Sequence, residues 1–340
     1  MLNDTPTLRQ QHDAAQAGAF AAASGSAEKN ILVCGSVAFD TIAVFEGHFK
    51  EHILADSIQS LSVSFFVPTM RKEYGGCAGN IAYNLSLLGA RAVPVGMVGP
   101  DASDYLEYMR NLGIDTRHVR MLPDMFTPQC FITTDLDNNQ IASFHPGAML
   151  NSAENDWEGT PAAWGIVAPD SKDGMFAHAR RFKKQGIPFV FDLGQAMPLF
   201  DGQDLLQMLE LADIVTANDY EASIIAQRTG RSMAEIAAML RAVVVTRGGE
   251  GSTLYESGAE NHLPAIKVEH IVDPTGCGDA HRAGLLHGLV RGWTLHQACC
   301  LANVMGAFKI ASRGPQNHQP TREQISAALR QHYGIDLPLS

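Results

Sequence analysis

Short apolar runs alternate with amphipathic segments along most of the chain, and this pattern predicts an α/β protein. Strand-like runs lie at 31–34, 92–98, 164–168, 188–192, 213–217 and 242–246. The segments between them space their apolar residues as helices do. Alternating strands and helices imply a doubly wound, mainly parallel sheet with helices on both faces.

A second set of segments has the alternating pattern of half-exposed strands. Strand-like alternation occurs at 41–45 and 60–67, and a β-hairpin is predicted at 130–144 with its turn at 136–139. We expect these strands to form a small β-sheet lid from segments of about 41–72 and 127–147, with Ser64 and Phe144 facing inward. Phe144 is equally typical of a core aromatic of the hairpin.

The composition limits the class of protein. Residues 1–29 are rich in Ala, Gln, Ser and Gly and predict a disordered N-terminal extension before one domain at 30–335. A formal net charge of −11 and the lack of a basic run argue against a nucleic-acid partner. No apolar stretch approaches the roughly 20 residues that cross a bilayer, and no signal peptide is visible, so a cytoplasmic protein without a membrane partner is expected.

The six cysteines and 13 histidines do not form a recognisable metal motif. The cysteines lack Cys-x-x-Cys spacing, and the adjacent pair Cys299 and Cys300 lies in an apolar helical pattern. We expect buried thiols rather than disulfides or transition-metal ligands.

The most informative stretch is the glycine turn at 272–280, which joins the end of a strand to the start of a helix. Gly276 and Gly278 let the backbone approach a ligand closely. The first N–H groups of the following helix favour an anion, so the turn around Cys277 predicts a phosphate site. An ionised Asp279 beside it has the chemistry of a base for an attacking alcohol, although the carboxylate is also typical of a helix cap.

Two other segments place polar groups where ligands bind in parallel sheets. The first strand is followed by Ser36 and Asp40, which contact a ligand or satisfy a turn. A second glycine-rich helix start at 74–80 contains Gly76 and Asn80. It lacks the dinucleotide pattern Gly-x-Gly-x-x-Gly, so a nicotinamide fold gains little support.

Two later segments also follow strands. Asn218 and Glu221, three residues apart at a helix start, suit either Mg²⁺ or a capping box. The loop at 246–251 is compatible with a nucleotide contact or a hairpin turn, and it is not a Walker A loop because no lysine follows its glycines.

The turn at 273–280, Asp-Pro-Thr-Gly-Cys-Gly-Asp-Ala, resembles the signature of the ribokinase-like (PfkB) carbohydrate and nucleoside kinases. That signature reads Asp-Thr-x-Gly-Ala-Gly-Asp-Ala-Phe, so Pro274, Cys277 and His281 depart from it. Other segments resemble motifs of this family in the same order, at 74–80, 218–221 and 246–251.

The resemblance implies a ribokinase-like fold and a role for each motif. It implies catalysis by Asp279 with Gly276, Cys277 and Gly278 around the moving phosphoryl group. It implies substrate contacts at Ser36, Asp40, Ser64, Gly76, Asn80, Phe144 and Asp279. It implies nucleotide contacts at Asn218, Thr246, Gly248, Gly251 and Asn303, with Mg²⁺ at Asn218 and Glu221. It also implies a monovalent cation such as K⁺ near Asp273 and residues 313–314, as in many family members.

The expected reaction is therefore transfer of the ATP γ-phosphoryl group to a hydroxyl of a small molecule. The segments at 64–67, 75–80, 141–149 and 216–221 look most like bacterial adenosine kinases, which implies the 5′-hydroxyl of a purine nucleoside as acceptor. Those enzymes have an aromatic residue where this chain has Cys130, which leaves inosine and guanosine open. A ribokinase- or fructokinase-type sugar kinase and a non-catalytic ligand-binding regulator are the alternatives. A homodimer through the lid strands is also expected.

Overall fold

The computed structural model describes residues 29–53, 62–137 and 139–339. The predicted N-terminal extension therefore lies outside the described residues except for Lys29. The strands are β1 (Asn30–Cys34), β2 (Ala38–Val44), β3 (Thr69–Gly75), β4 (Arg91–Val98), β5 (His118–Met121), β6 (Gln129–Thr134), β7 (Gln140–His145), β8 (Trp164–Val167), β9 (Phe189–Asp192), β10 (Ile214–Asn218), β11 (Ala242–Thr246), β12 (Gly251–Glu256) and β13 (Ala259–Pro264).

The helices lie mainly between these strands. They are α1 (Phe49–His52), α2 (Cys77–Leu87), α3 (Ser103–Asn111), α4 (Lys172–Gln185), α5 (Gly202–Leu211), α6 (Asp219–Thr229), α7 (Met233–Met239), α8 (Cys277–Val290), α9 (Leu295–Ile310) and α10 (Arg322–Tyr333). Short 3₁₀ helices occur at Pro100–Ala102, Gly147–Glu154, Gly194–Leu199 and Gly248–Glu250. No helix among the described residues is both long enough and apolar enough to span a membrane.

The large sheet is mainly parallel, as predicted. Its order is β13-β12-β11-β10-β9-β8-β1-β4-β5, and only β12 and β13 at one edge run antiparallel to their neighbours. The parallel strands end at the same edge of the sheet, so Ser36, Asp192, Asn218 and Thr246 all follow or end strands on that side. Ligands bind at this edge in open α/β sheets.

The alternation within β1 explains why helices cover both faces. Ile31 and Val33 belong to an apolar core that includes α2, α8, α9 and α10. Leu32 and Cys34 belong to a second core that includes α4, α5, α6 and α7. Successive strand residues point to opposite faces, and a strand that is apolar throughout therefore needs helices on both sides. The predicted helices on both faces are confirmed.

The small sheet has the order β3-β2-β6-β7, and the predicted hairpin is its β6-β7 pair. The prediction of a strand at 60–67 was wrong for residues 62–67, which have no strand, while 60 and 61 lie outside the described residues. The strand begins after Pro68, whose missing N–H cannot join a ladder. Phe65 instead packs on Phe45 and Phe49. Dimerisation through this sheet stays a prediction.

Candidate active site

The glycine turn forms the start of α8. Gly276 is the residue before the helix, and its φ of 80° lies in the left-handed region that favours glycine. A Cβ at this position would also come within 2.9 Å of Pro315 Cβ. The N–H of Cys277 donates to the carbonyl of Pro274, so this amide is already used within the turn. The next amides, of Gly278 and Asp279, have no partner within the helix because they belong to its first turn.

Asp279 lies in this first turn and is partly accessible to solvent. Its Oδ2 accepts a hydrogen bond from Asn80 Nδ2 at 2.8 Å. Burial raises the pKa of Asp279 to about 7; the hydrogen bond from Asn80 opposes this shift, the negative charge of Asp192 adds to it, and Arg282 opposes it. A carboxyl group with a pKa near neutrality can exchange a proton at physiological pH, as a general base must.

A chain of side-chain hydrogen bonds extends from Asp279 towards the lid. Asn80 Oδ1 accepts from Gln316 Nε2 at 2.9 Å, and the same nitrogen lies 2.7 Å from the hydroxyl oxygen of Tyr105. The Tyr105 hydroxyl donates to the carbonyl of Gly75 at 2.9 Å. All these side chains except Asp279 are buried, so the network fixes the orientation of the Asn80 amide beside the carboxylate.

The second glycine turn brings α2 against the end of β1. Gly76 has a φ of 80°, and a Cβ there would lie 2.5 Å from the carbonyl oxygen of Ser36. The Ser36 hydroxyl accepts from the N–H of Cys77 at 3.0 Å, which is a capping contact for α2. This contact is the turn role of the two that the sequence left open, and a ligand contact at Ser36 stays a prediction. The structure also places Ser36 and Gly76 next to the helix that carries Asn80.

A row of paired residues crosses one face of the lid. Asp40 on β2 is opposite Cys130 on β6, and Cys130 is opposite Phe144 on β7. Directly paired residues share a face of a sheet, so these three side chains lie side by side. Phe144 is 52% exposed, which argues against a core role for its ring. Ser64 is exposed and lies in the segment that has no strand.

Asp40 connects this row to the glycine turn. Burial raises the pKa of Asp40 to about 6, and the charges of Glu73 and Asp273 add to the shift. Its Oδ2 packs over Gly75, where a Cβ would lie only 2.6 Å from that oxygen. The lid therefore carries a carboxylate at the end of the row that is close to Asp273, and an exposed aromatic ring at the other end.

A buried charge cluster lies behind Asp279. Arg282 Nε donates to Asp192 Oδ2 and Arg282 Nη2 donates to Asp192 Oδ1, each at 3.0 Å. Arg282 Nη2 also lies 4.0 Å from Glu221 Oε2. Burial raises the pKa of Glu221, and the charge of Asp192 adds to the shift while Arg282 opposes it. The guanidinium group thus lies between two carboxylates, that of Asp192 at the end of β9 and that of Glu221 in the first turn of α6.

The structure shows the local turn chemistry of two predicted nucleotide motifs. Asn218 Oδ1 accepts from the N–H of Glu221 at 2.7 Å, and Glu221 Oε2 accepts from the N–H of Asn218 at 2.8 Å, which is a capping box. Thr246 pairs with Ser252 across the β11-β12 hairpin, so Gly248 and Gly251 lie in or next to its connection. The structure thus shows the cap and the hairpin turn in these segments, and their metal and nucleotide roles stay predictions.

Asn303 lies in α9, a helix that also lines an apolar cavity of about 570 Å³. The side chain of Asn303 accepts from Ser252 Oγ at 3.1 Å and donates to the carbonyl of Leu263 at 3.4 Å. The following residue, Val304, lines the cavity. The other lining residues are Ile266, Val268, Glu269, His270, Val272, Ala307, Phe308, Ala311, Ala328 and His332. A mostly apolar cavity of this size is typical of a site for a flat organic ring.

Sequence reasoning missed four side chains that support the site. Arg282 follows Asp279 by three residues, which places both on one side of α8, and Asp192 ends a buried strand. The local sequence could therefore have indicated that Arg282 and Asp192 support the site. It could not have done so for Tyr105 and Gln316, because their roles depend on contacts between segments that are distant in sequence.

The fold and the site together indicate the class of enzyme to which the protein belongs. A doubly wound sheet with a β lid, and a carboxylate at a helix N-terminus beside the carboxyl ends of the strands, match the ribokinase-like phosphotransferases. The model of the pfkB family of carbohydrate kinases matches residues 28–322, and the chain belongs to this family. It is an ATP-dependent kinase with an alcohol acceptor.

Nucleoside kinases are among the similar proteins. The chain is 30% identical over 276 residues to a nucleoside kinase of Methanocaldococcus jannaschii, which covers 80% of this chain and 90% of that relative. It is 47% identical to the Burkholderia thailandensis nucleoside kinase solved in complex with inosine, with a TM-score of 0.82 over 90% of this chain and 99% of that one. The same enzyme solved in complex with ADP-inosine gives 48% identity and a TM-score of 0.79, and the match covers 90% of this chain and 97% of that one. The resemblance predicted from the motifs is confirmed.

Proposed function

We propose that the protein transfers the γ-phosphoryl group of ATP to the 5′-hydroxyl of a purine nucleoside. The observation that carries this proposal is the position of Asp279 in the first turn of α8, hydrogen-bonded to Asn80 of α2. One helix supplies the base and the anion-binding amides, while the other supplies the amide expected to contact the ribose hydroxyls.

In this proposal the protein accelerates phosphoryl transfer mainly by position and charge. The transition state is loose, so the attacking hydroxyl does not need to lose its proton early. Asp279 accepts that proton as the new O–P bond forms and the bond between the γ-phosphorus and the leaving ADP breaks. The amides of Gly278 and Asp279 stabilise the charge on the phosphoryl oxygens. The Cys277 amide, which donates to Pro274, is not available for this role in the structure.

The lid supports a nucleoside acceptor over a free sugar. The paired row from Asp40 through Cys130 to Phe144 spans two strand spacings, or about 10 Å. A carboxylate for ribose hydroxyls and an aromatic ring for a base at that separation suit a nucleoside, whereas a free sugar would leave Phe144 without a partner. Both B. thailandensis structures named above were solved in complexes that include inosine, which supports this assignment.

A thiol at the centre of the row favours a broad choice of purine. Burial and the charge of Asp40 raise the pKa of Cys130, so this side chain is a neutral thiol near pH 7. A small thiol leaves more room beside a base than an aromatic ring would. We therefore include inosine and guanosine with adenosine as acceptors, with the ribose held by Ser36, Asp40, Gly76 and Asn80 and the base by Ser64 and Phe144.

The donor site is proposed on the other side of Asp279. ATP would lie along Asn218, Thr246, Gly248 and Gly251, with its base in the apolar cavity that is lined by α9, the helix that carries Asn303. When bound, Mg²⁺ would neutralise phosphate charge, and it keeps most of its water ligands. The oxygen-bearing side chains of Asn218 and Glu221 fit this ion through water, because the capping box already uses one oxygen of each.

The test is a phosphorylation screen with purified full-length protein, ATP and Mg²⁺. We expect adenosine, inosine or guanosine to be phosphorylated with a kcat/KM at least about 10²-fold above that of ribose or fructose, because the base contacts contribute binding energy that sugars lack. The product should be identified as the 5′-monophosphate by ³¹P NMR. A preference for ribose or fructose would replace this proposal with a sugar kinase. ATP-independent binding without turnover of any acceptor would favour the regulator.

A further inference from the structure

A buried lysine lies directly under the glycine turn, where the family resemblance implies a monovalent cation. Lys309 is in the last turn of α9 and is completely buried. Its Nζ donates to the carbonyl oxygen of Asp273 at 2.8 Å and to the carbonyl oxygen of Ser312 at 3.0 Å. These two carbonyls come from the segment before the turn and from the loop that follows α9.

The same two segments are joined by other hydrogen bonds around the lysine. Asp273 Oδ1 accepts from the N–H of Thr275, and Asp273 Oδ2 accepts from the N–H of Gly314, each at 2.9 Å. The N–H of Val272 donates to the carbonyl of Ile310 at 2.9 Å. The lysine therefore forms part of a set of contacts that fixes the backbone just before Gly276.

These residues do not fit K⁺. A monovalent cation in this place would need the carbonyl oxygens and the Asp273 carboxylate as ligands. Lys309 Nζ donates to both carbonyl oxygens, so its ammonium group already supplies a positive charge at this point, and each carboxylate oxygen already accepts one amide N–H. The end of a helix attracts one positive charge, and a second cation beside the ammonium group would be repelled.

We propose that the Lys309 ammonium group replaces the monovalent cation, so that the kinase holds its phosphate-binding turn in place without K⁺. Lys309 is then a positioning residue: it contacts the backbone of Asp273 and acts on the phosphate through the turn. The nucleoside need not be the acceptor for this to hold, because binding of K⁺ to the free protein can be measured without any substrate.

The test compares the wild-type protein with Lys309→Met, which keeps most of the length of the side chain and removes its charge. Turnover is measured at equal ionic strength of about 0.1 M in KCl and in choline chloride, so that screening is the same in both. We expect wild-type kcat to agree within about twofold in the two salts. We expect kcat of Lys309→Met to be at least about tenfold lower in choline chloride and to recover in a saturable way with K⁺, because the ion can enter the vacated position.

Thermal unfolding without substrates gives a second readout. The unfolding midpoint of Lys309→Met should rise in KCl relative to choline chloride, whereas that of the wild type should not, since a ligand stabilises only a protein that binds it. Lys184→Met is the matched control, because Lys184 is 68% exposed and pairs with Glu158 at the surface. It should behave as the wild type in both salts.

Three results would overturn the proposal. The first is wild-type turnover stimulated tenfold or more by K⁺, which also decides the question if Lys309→Met does not fold. The second is full activity of Lys309→Met in choline chloride. The third is a low kcat of Lys309→Met that K⁺ does not restore, together with an unfolding midpoint that is the same in KCl and in choline chloride. A failure to phosphorylate nucleosides, in contrast, leaves the thermal comparison intact and concerns only the acceptor.

Discussion

Replacing Asp279 by Asn lowers kcat for nucleoside phosphorylation by about 10²–10⁴-fold, the usual contribution of a general base. The Kd for the nucleoside should change by less than about tenfold, because the interaction that is lost is made mainly in the transition state. Asparagine keeps an oxygen that can accept the hydrogen bond from Asn80 Nδ2, so the local geometry is preserved. Steady-state kinetics and calorimetric titration of the nucleoside measure the two quantities separately.

The matched control is Asp173→Asn. Asp173 is an exposed aspartate in the first turn of α4, so the same substitution is made in the same kind of helix position. Its kcat should equal that of the wild type. If Asp279→Asn kept its kcat within tenfold of the wild-type value, Asp279 would not be the base.

Removing the Arg282 guanidinium lowers the free energy of unfolding by about 3–5 kcal/mol, as expected when one partner of a buried ion pair is lost. Arg282→Gln leaves Asp192 and Glu221 close together without their shared cation. Urea denaturation measures the change. The control is Arg330→Gln, whose side chain is 63% exposed and pairs with Asp336 at the surface, and it should cost less than about 1 kcal/mol. Equal effects of the two substitutions would show that the cluster does not hold the site together.

Glu221→Gln separates the metal role of this cluster from its structural role. Glutamine can still accept the N–H of Asn218, so the stability should change little. If Glu221 helps to hold Mg²⁺, the concentration of Mg²⁺ that gives half-maximal turnover should rise several-fold, because a neutral amide attracts the ion less than a carboxylate does. An unchanged magnesium titration would leave Asn218 and Glu221 as a helix cap only.

The fold could be predicted largely from local patterns. The strand pattern of the main sheet, the helices between its strands and the 130–144 hairpin each follow from periodicity within one short segment. The prediction at 60–67 failed although the alternation was present, because Pro68 and the packing of Phe65 on Phe45 exclude that segment from the ladder. Alternation indicates which residues suit a strand, and it does not identify the pairing partner.

The site could be predicted only in part. The glycine turns and the carboxylate at the helix start are local signals, and both turns lie where they were expected. The bond between Asn80 and Asp279 joins residues that are 199 positions apart, and Gln316 reaches Asn80 across 236 positions. The sequence around Lys309 does not indicate that this side chain is buried under the turn, because an isolated lysine in a helix is usually at the surface. Such contacts depend on how α2, α8 and α9 pack together.

The pH dependence of kcat/KM for the nucleoside, at saturating ATP and Mg²⁺, tests the central claim most directly. Burial raises the pKa of Asp279 to about 7, and the groups that contribute to this shift are Asn80, Asp192, Arg282 and Cys77. A base must be ionised to accept a proton, so activity requires a pH above this pKa. The value of kcat/KM should therefore be constant above pH 7 and fall about tenfold per pH unit below it. Protonation of Asp40, whose pKa is raised to about 6, should steepen the fall at lower pH.

The residual activity of Asp279→Asn should lack the transition near pH 7. A wild-type profile that is flat from pH 5 to pH 8 would contradict the assignment of Asp279 as the base.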